Sequence, residues 1–192
     1  MRAIAIALVL AACSGGGKKG LQTSGGDTNA GLAGWEVMRS VFQHPRCQNC
    51  HPADDTPLQG DLGAPHNQEV QRGADGFGMA GARCTTCHGP ANKPPSYGEH
   101  QPPGNIKGWH MPPPEMKMVF VGMSSNALCE QTKDPARNGG KDMKALREHM
   151  DDPLVLWGWD PGVGRQPVPV PHPEFVRAFE AWAAAGAPCP AP

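Results

Sequence analysis

The chain is poor in aromatic residues, at 6% with a single tyrosine, and it has neither a long hydrophobic run nor a block of one charge. Each shortage excludes something. A transmembrane helix needs about 20 apolar residues in succession, and the one apolar stretch near the start, Ala3 to Ala12, is far shorter. With 17 Lys+Arg against 18 Asp+Glu, no basic face is available for nucleic acid. The chain contains 25 glycines and 22 prolines, about a quarter of its 192 residues. That composition approaches the range in which a chain cannot build a packed core unaided, so a bound cofactor is one source of the missing apolar mass.

What is present begins at the N-terminus. Met1-Arg2 is a minimal positive start, and Ala3 to Ala12 matches the short apolar region of a secretory signal rather than a membrane span. The stretch ends in Leu10-Ala11-Ala12-Cys13, which resembles the lipobox of bacterial lipoproteins. The resemblance implies cleavage after residue 12 and a diacylglycerol on Cys13, so that attachment to a membrane is through lipid alone. The plainer alternative is an ordinary signal peptide followed by a stray cysteine. Residues 13–34, Gly-rich with Ser, Thr and Asn, read as a flexible tether, and residues 35–192 as the globular body. Ser14 follows the cysteine where an Asp would favour inner-membrane retention, so the resemblance implies a periplasm-facing envelope lipoprotein, on the outer membrane rather than the inner.

Two short segments carry the chemistry: Cys47-Gln48-Asn49-Cys50-His51 and Cys84-Thr85-Thr86-Cys87-His88. Both are C-x-x-C-H, the attachment pattern of c-type haem. Two thiols three positions apart lie on one turn and can each add to a haem vinyl group. The next residue then brings an imidazole under the same ring as proximal iron ligand. The expectation is two haem c groups, held by Cys47, Cys50, Cys84 and Cys87, with His51 and His88 on the irons. A four-thiolate zinc site is the first alternative, although paired C-x-x-C motifs in zinc ribbons lie about 15–20 residues apart. Two local disulfides are the second. Neither explains a histidine directly after each pair. Cys129 and Cys189 are left over, an even remainder in an exported chain, and pair as a disulfide or stay as buried thiols.

The far side of each iron has several candidates. His66, in a Pro-Gly-bounded segment, could fold back over the first haem. Trp109-His110-Met111-Pro112-Pro113 places two competing ligands side by side, since adjacent residues of an extended segment point in opposite directions. Met111-Pro112 is similar to the Met-Pro distal ligand of single-haem class I cytochromes c. His149 lies on a helical pattern with Met143, Leu146 and Met150 and is expected to point inward. His44 is too close to Cys47 to reach over the same haem with ease, and His172, before Pro173, reads as a helix cap.

From His51-Pro52 through Leu58-Gln59-Gly60-Asp61, Arg72-Gly73, the second haem motif, Trp109-His110, Lys133-Asp134-Pro135, Asn138-Gly139-Gly140 and Trp157-Gly158-Trp159-Asp160-Pro161-Gly162, the chain resembles a family of small bacterial dihaem cytochromes. Some of its members carry the label isoquinoline 1-oxidoreductase subunit. The family pattern reads Trp-His-Leu-Pro-Pro where this chain has Met111, and so favours His110 over Met111 as ligand.

The fold expected is a small, mainly α, loop-rich dihaem cytochrome c-like domain. Helices are expected over Leu32 to Phe42, Asn126 to Thr132 and Asp142 to Met150, and from Pro173 to a stop at Gly186. The segments Pro52 to Gly81 and Gly89 to Pro114 are expected to wrap cofactor, and no internal repeat is evident. The function expected is electron transfer, with no organic substrate and with exported or membrane redox proteins as partners. A small peroxidase- or reductase-type haem enzyme with one five-coordinate haem is the alternative, as is a permanent electron-transfer subunit of a larger oxidoreductase.

Overall fold

The structure, a computed structural model, describes residues 27–192; the signal-like stretch, Cys13 and most of the expected tether lie outside the described residues. The described chain is mainly α and loop-rich, 40% helical with 5% strand. Its α-helices are α1 (Thr28–Phe42), α2 (Pro45–Gln48), α3 (Ser125–Lys133), α4 (Met143–His149), α5 (Pro153–Leu156) and α6 (His172–Ala184). Two minimal antiparallel hairpins lie between α2 and α3: β1 (Leu58–Gln59) with β2 (Ala64–Pro65), and β3 (Gly78–Met79) with β4 (Ala82–Arg83).

The helix starts follow their capping residues. Ser124 accepts from Ala127 N, Asp142 from Ala145 N and Asp152 from Leu154 N, each satisfying an orphan donor of a first turn. Gly186, at φ 82°, turns the chain away after α6. His172 departs from the expected cap. It is the first residue of α6, with Pro171 at the cap position, and its ring packs edge-on against Trp159 while Nε2 lies 3.0 Å from Met150 O.

The core is the seam between α1 and α6, closed by α3. Trp35, Met38 and Val41 of α1 meet Phe175, Phe179 and Trp182 of α6, with Leu128 of α3 beneath. Trp35 and Trp182 pack at 5.7 Å, and both indole N–H groups are satisfied, by Ser125 Oγ and Pro188 O. Pairing these donors allows both rings to be wholly buried.

One boundary is corrected. Asp27 caps α1, so Thr28–Gly34 is helix and not tether. Gly31 and Gly34 look like tether composition, but they are the contact points with the far end of the chain. A Cβ on Gly34 would sit 2.5 Å from Ala178 O, and one on Gly31 would sit 2.6 Å from Ala185 Cβ. The glycines let two helices approach to backbone distance, an effect that composition cannot distinguish from looseness.

The expected disulfide is present: Cys129 of α3 is bonded to Cys189, with Cα atoms 5.6 Å apart. It fastens the C-terminal tail to the body, beside Asn126 Nδ2 donating to Pro190 O.

Residues 52–117 are a different kind of structure. None of them belongs to the apolar core cluster or to the partly buried apolar shell around it. Polar anchors hold them instead. Arg72, 1% exposed, donates to Asp55 Oδ1, Asp54 O and Pro112 O. Asn92 donates to Asp160 O and accepts from Trp157 Nε1 and Gly104 N.

Candidate functional site

Each C-x-x-C-H motif forms a single helical turn. In the first, α2 begins with Pro45, and His51 N donates to Cys47 O and Gln48 O. In the second, a short 3-10 turn over Cys84–Thr86 carries Cys87 N and His88 N back to Cys84 O. The spacing therefore sets two thiols and an imidazole on one side of each turn. All four motif cysteines are free thiols, so the local-disulfide alternative is not what this structure contains. His44 caps α2, its Nδ1 accepting from Arg46 N at 3.2 Å, and it is committed there rather than to either motif.

The two motif histidines have the same surroundings in outline. His51 Nδ1 lies 2.7 Å from Met118 O, and His88 Nδ1 lies 2.8 Å from Pro103 O. A carbonyl oxygen only accepts, so both rings carry their proton on Nδ1 and keep the Nε2 lone pair for a metal. A carbonyl behind the imidazole orients a metal-ligating histidine and raises its basicity. Aromatic rings fix the remaining freedom: Phe120 stacks on His51 at 4.0 Å and 14°, and Trp109 on His88 at 5.0 Å and 5°. Trp109 in turn meets Trp157 edge-on at 4.8 Å.

These positions are built from separate parts of the chain. Segment 118–120 reaches His51 because Gln131 of α3 donates to Val119 O and Phe120 N donates to His51 O. Pro103 reaches His88 because Asn105 N donates to Gly89 O and Gly104 is pressed against Ala91 backbone.

The electrostatics follow burial. Burial pushes the Cys47 thiol up to about 12, with Cys50 adding to the effect. Burial holds Cys50 up at about 11, and the Cys84 thiol adds to the effect. Burial lowers the His51 pKa to about 4 against the opposing bond to Met118 O, and nearby His149 and Arg72 push the same way as burial. Burial also lowers His88, against its bond to Pro103 O, with His66 among the neighbours that lower it. Both motif imidazoles are thus neutral near pH 7, the form that binds metal.

The distal candidates separate. His66 does not lie over the first motif. Its ring centroid is 6.2 Å from that of His88, at an interplanar angle of 58°. The β1–β2 hairpin is responsible: Leu58 pairs with Pro65, and His66 N donates to Pro57 O, which carries the loop across to the second motif. His110 donates from Nδ1 to Gly108 O and stacks on Phe77 at 4.6 Å. Met111 is buried, its backbone N–H donating to Gly76 O. His149 is the last residue of α4; its side chain keeps solvent access, unlike Leu146 and Met150 in the core, but it lies near His51 and helps to lower that imidazole's pKa. Its own pKa is lowered, first by the desolvation its neighbours impose and then by Lys141.

Arg46 and Asn49, which the sequence does not flag, flank Cys47 and Cys50. Arg46, 4% exposed, donates to Gly60 O and pairs with Asp61 at 2.6 Å, and Asn49 Nδ2 also donates to Gly60 O. Arg46 Nε and Asn49 Oδ1 are buried with no hydrogen-bond partner. Among the described residues no group of three or more His, Cys, Asp or Glu side chains is arranged to hold a metal ion. No helix among them is long and apolar enough to cross a membrane.

Comparison with protein-family models, with curated proteins and with solved structures finds no match to this chain.

Proposed function

We propose that the protein is an electron carrier that binds two c-type haems, one at Cys47, Cys50 and His51 and one at Cys84, Cys87 and His88. The observation that carries this reading is the repeated arrangement of two free thiols and a neutral imidazole on one turn, with Nδ1 tied to a backbone carbonyl. A tetrapyrrole supplies four of the iron's ligands itself and needs only one or two from protein. The absence of a three-ligand cluster therefore does not count against it. The donor set fits the group: thiols for two thioethers, Nε2 for the iron, and unpartnered polar atoms on Arg46 and Asn49 beside the first pair. Residues 52–117, ordered by polar anchors and contributing nothing to the apolar core, fit a segment that folds around an apolar cofactor.

Bound there, haem supplies a one-electron ferrous–ferric couple. The chain's part is to hold, orient and insulate. The thioethers keep the group in place outside the cytoplasm, the Met118 and Pro103 carbonyls set the basicity of His51 and His88, and Phe120 and Trp109 hold the ring planes. Two haems on one small body would form a short relay between a donor and an acceptor protein. The proposed setting is an exported lipoprotein anchored through Cys13, facing the periplasm, with transient contacts to other redox proteins. No organic substrate is required.

The test is expression in a host with haem c maturation, followed by a pyridine haemochrome count and spectra of both redox states. Two covalent haems per chain with reversible low-spin spectra are expected. A high-spin signal that binds small ligands would favour the haem-enzyme alternative, and a chain that takes up zinc and no haem would sink the proposal.

A further inference from the structure

We propose that His66, from the loop after the first motif, is the axial ligand opposite His88 at the second. The inference rests on the haem reading above and deepens it.

Two imidazoles on opposite sides of one metal each form a bond of about 2 Å through nitrogen, and an imidazole nitrogen lies roughly 1 Å from its ring centre. Their centroids then stand about 6 Å apart. His66 and His88 stand 6.2 Å apart. The nitrogens agree with the distance. His66 Nδ1 lies 2.6 Å from Asn67 O and His88 Nδ1 lies 2.8 Å from Pro103 O, so each ring is protonated at Nδ1 and keeps Nε2. Among the described residues neither Nε2 has a protein partner.

The backbone is built to keep His66 there. Pro57 O holds His66 N, the β1–β2 register fixes Pro65, and the turn that follows places Gln68 and Glu69 at φ 64° and 52°. Left-handed backbone at two successive non-glycine residues is uncommon and is maintained only where the surroundings demand it.

The candidates of the Trp109–Met111 stretch are committed elsewhere. Trp109 covers a flat side of the His88 ring, and its neighbour His110 is stacked on Phe77. Met111 is buried against the Gly76 backbone, and His100 is exposed beside Glu99.

The consequence is an interlocked unit. The loop leaving the first motif closes the second iron, which becomes six-coordinate and shut to small ligands. The first motif must then find its distal ligand elsewhere.

The experiment uses the holoprotein from a maturation host, with haem count, optical spectra and low-temperature electron paramagnetic resonance. In His66→Ala the haem count stays at two, half of the haem turns high-spin, and added imidazole restores the low-spin signal. His66→Met, which keeps a ligand, stays low-spin and gains the far-red band of thioether ligation. In a Cys47→Ala/Cys50→Ala background, which keeps only the second haem, His66→Ala converts all of the haem. In Cys84→Ala/Cys87→Ala it converts none. Unchanged spectra in His66→Ala with two haems bound, or conversion of the first haem, overturns the proposal. A wild-type chain without covalent haem overturns the function proposed above instead, so the two failures are distinguishable.

Discussion

Removing the Cys129–Cys189 disulfide tests how this small body is held together. The bond joins residues 60 apart in sequence, α3 to the tail beyond α6. In the chain-entropy treatment, opening a loop of that length returns about 14 cal/mol/K to the unfolded ensemble, or about 4 kcal/mol at 25 °C. That is a large share of the 5–15 kcal/mol typical of folded proteins. For a domain of this size it corresponds to a melting point lower by roughly 10–15 °C. Native contacts near the bond supply a second part. Trp182 Nε1 donates to Pro188 O and Asn126 Nδ2 donates to Pro190 O, and both bonds depend on the tail staying docked. Cys129→Ala/Cys189→Ala, made in an oxidising compartment, is therefore expected to lose about 3–5 kcal/mol in denaturant unfolding. The unfolding slope should rise slightly, because the freed unfolded chain exposes more surface. Wild type under reductant should behave as the variant does. A loss below about 1 kcal/mol would refute the reasoning, since it would mean that the tail docks without the bond and that the unfolded chain is not constrained by it.

Two further outcomes follow from geometry away from the two C-x-x-C-H turns. Gly34→Ala puts a Cβ 2.5 Å from Ala178 O, so α1 must withdraw from α6. Thermal melting should show a net loss of about 1–3 kcal/mol despite the better helix propensity of alanine, whereas a gain in stability would show the helices are not in backbone contact. Burial works to raise the Asp152 carboxyl, but donation from Lys107 and from Leu154 N–H outweighs it and leaves the pKa below the ordinary value. A depressed carboxylate contributes stability above its unfolded pKa, about 4, and loses it as pH falls through the lower folded value. Lys107→Met should therefore lower the melting point at pH 6 and narrow its gap to wild type as pH drops below about 4; a gap that does not change with pH would contradict the ion pair.

The chemistry-bearing turns and most of the helices are legible in the local sequence. C-x-x-C-H places two thiols and an imidazole on one turn because the spacing is local, and Ser124, Asp142 and Gly186 mark helix ends through bonds within a few residues. The Cys129–Cys189 pairing was legible from cysteine arithmetic once four thiols were set aside for the motifs. Tertiary structure alone decided the rest. Carbonyls carry no sequence signature, so Met118 and Pro103 could not be read as the groups that orient His51 and His88. His66 was legible as a candidate, but its destination was not, because a two-residue hairpin and one bond to Pro57 O redirect the loop toward His88. Gly31 and Gly34 look the same in a tether as in a helix seam. What separates the two cases is whether another backbone passes within reach, and that is set by α6, some 140 residues further along the chain.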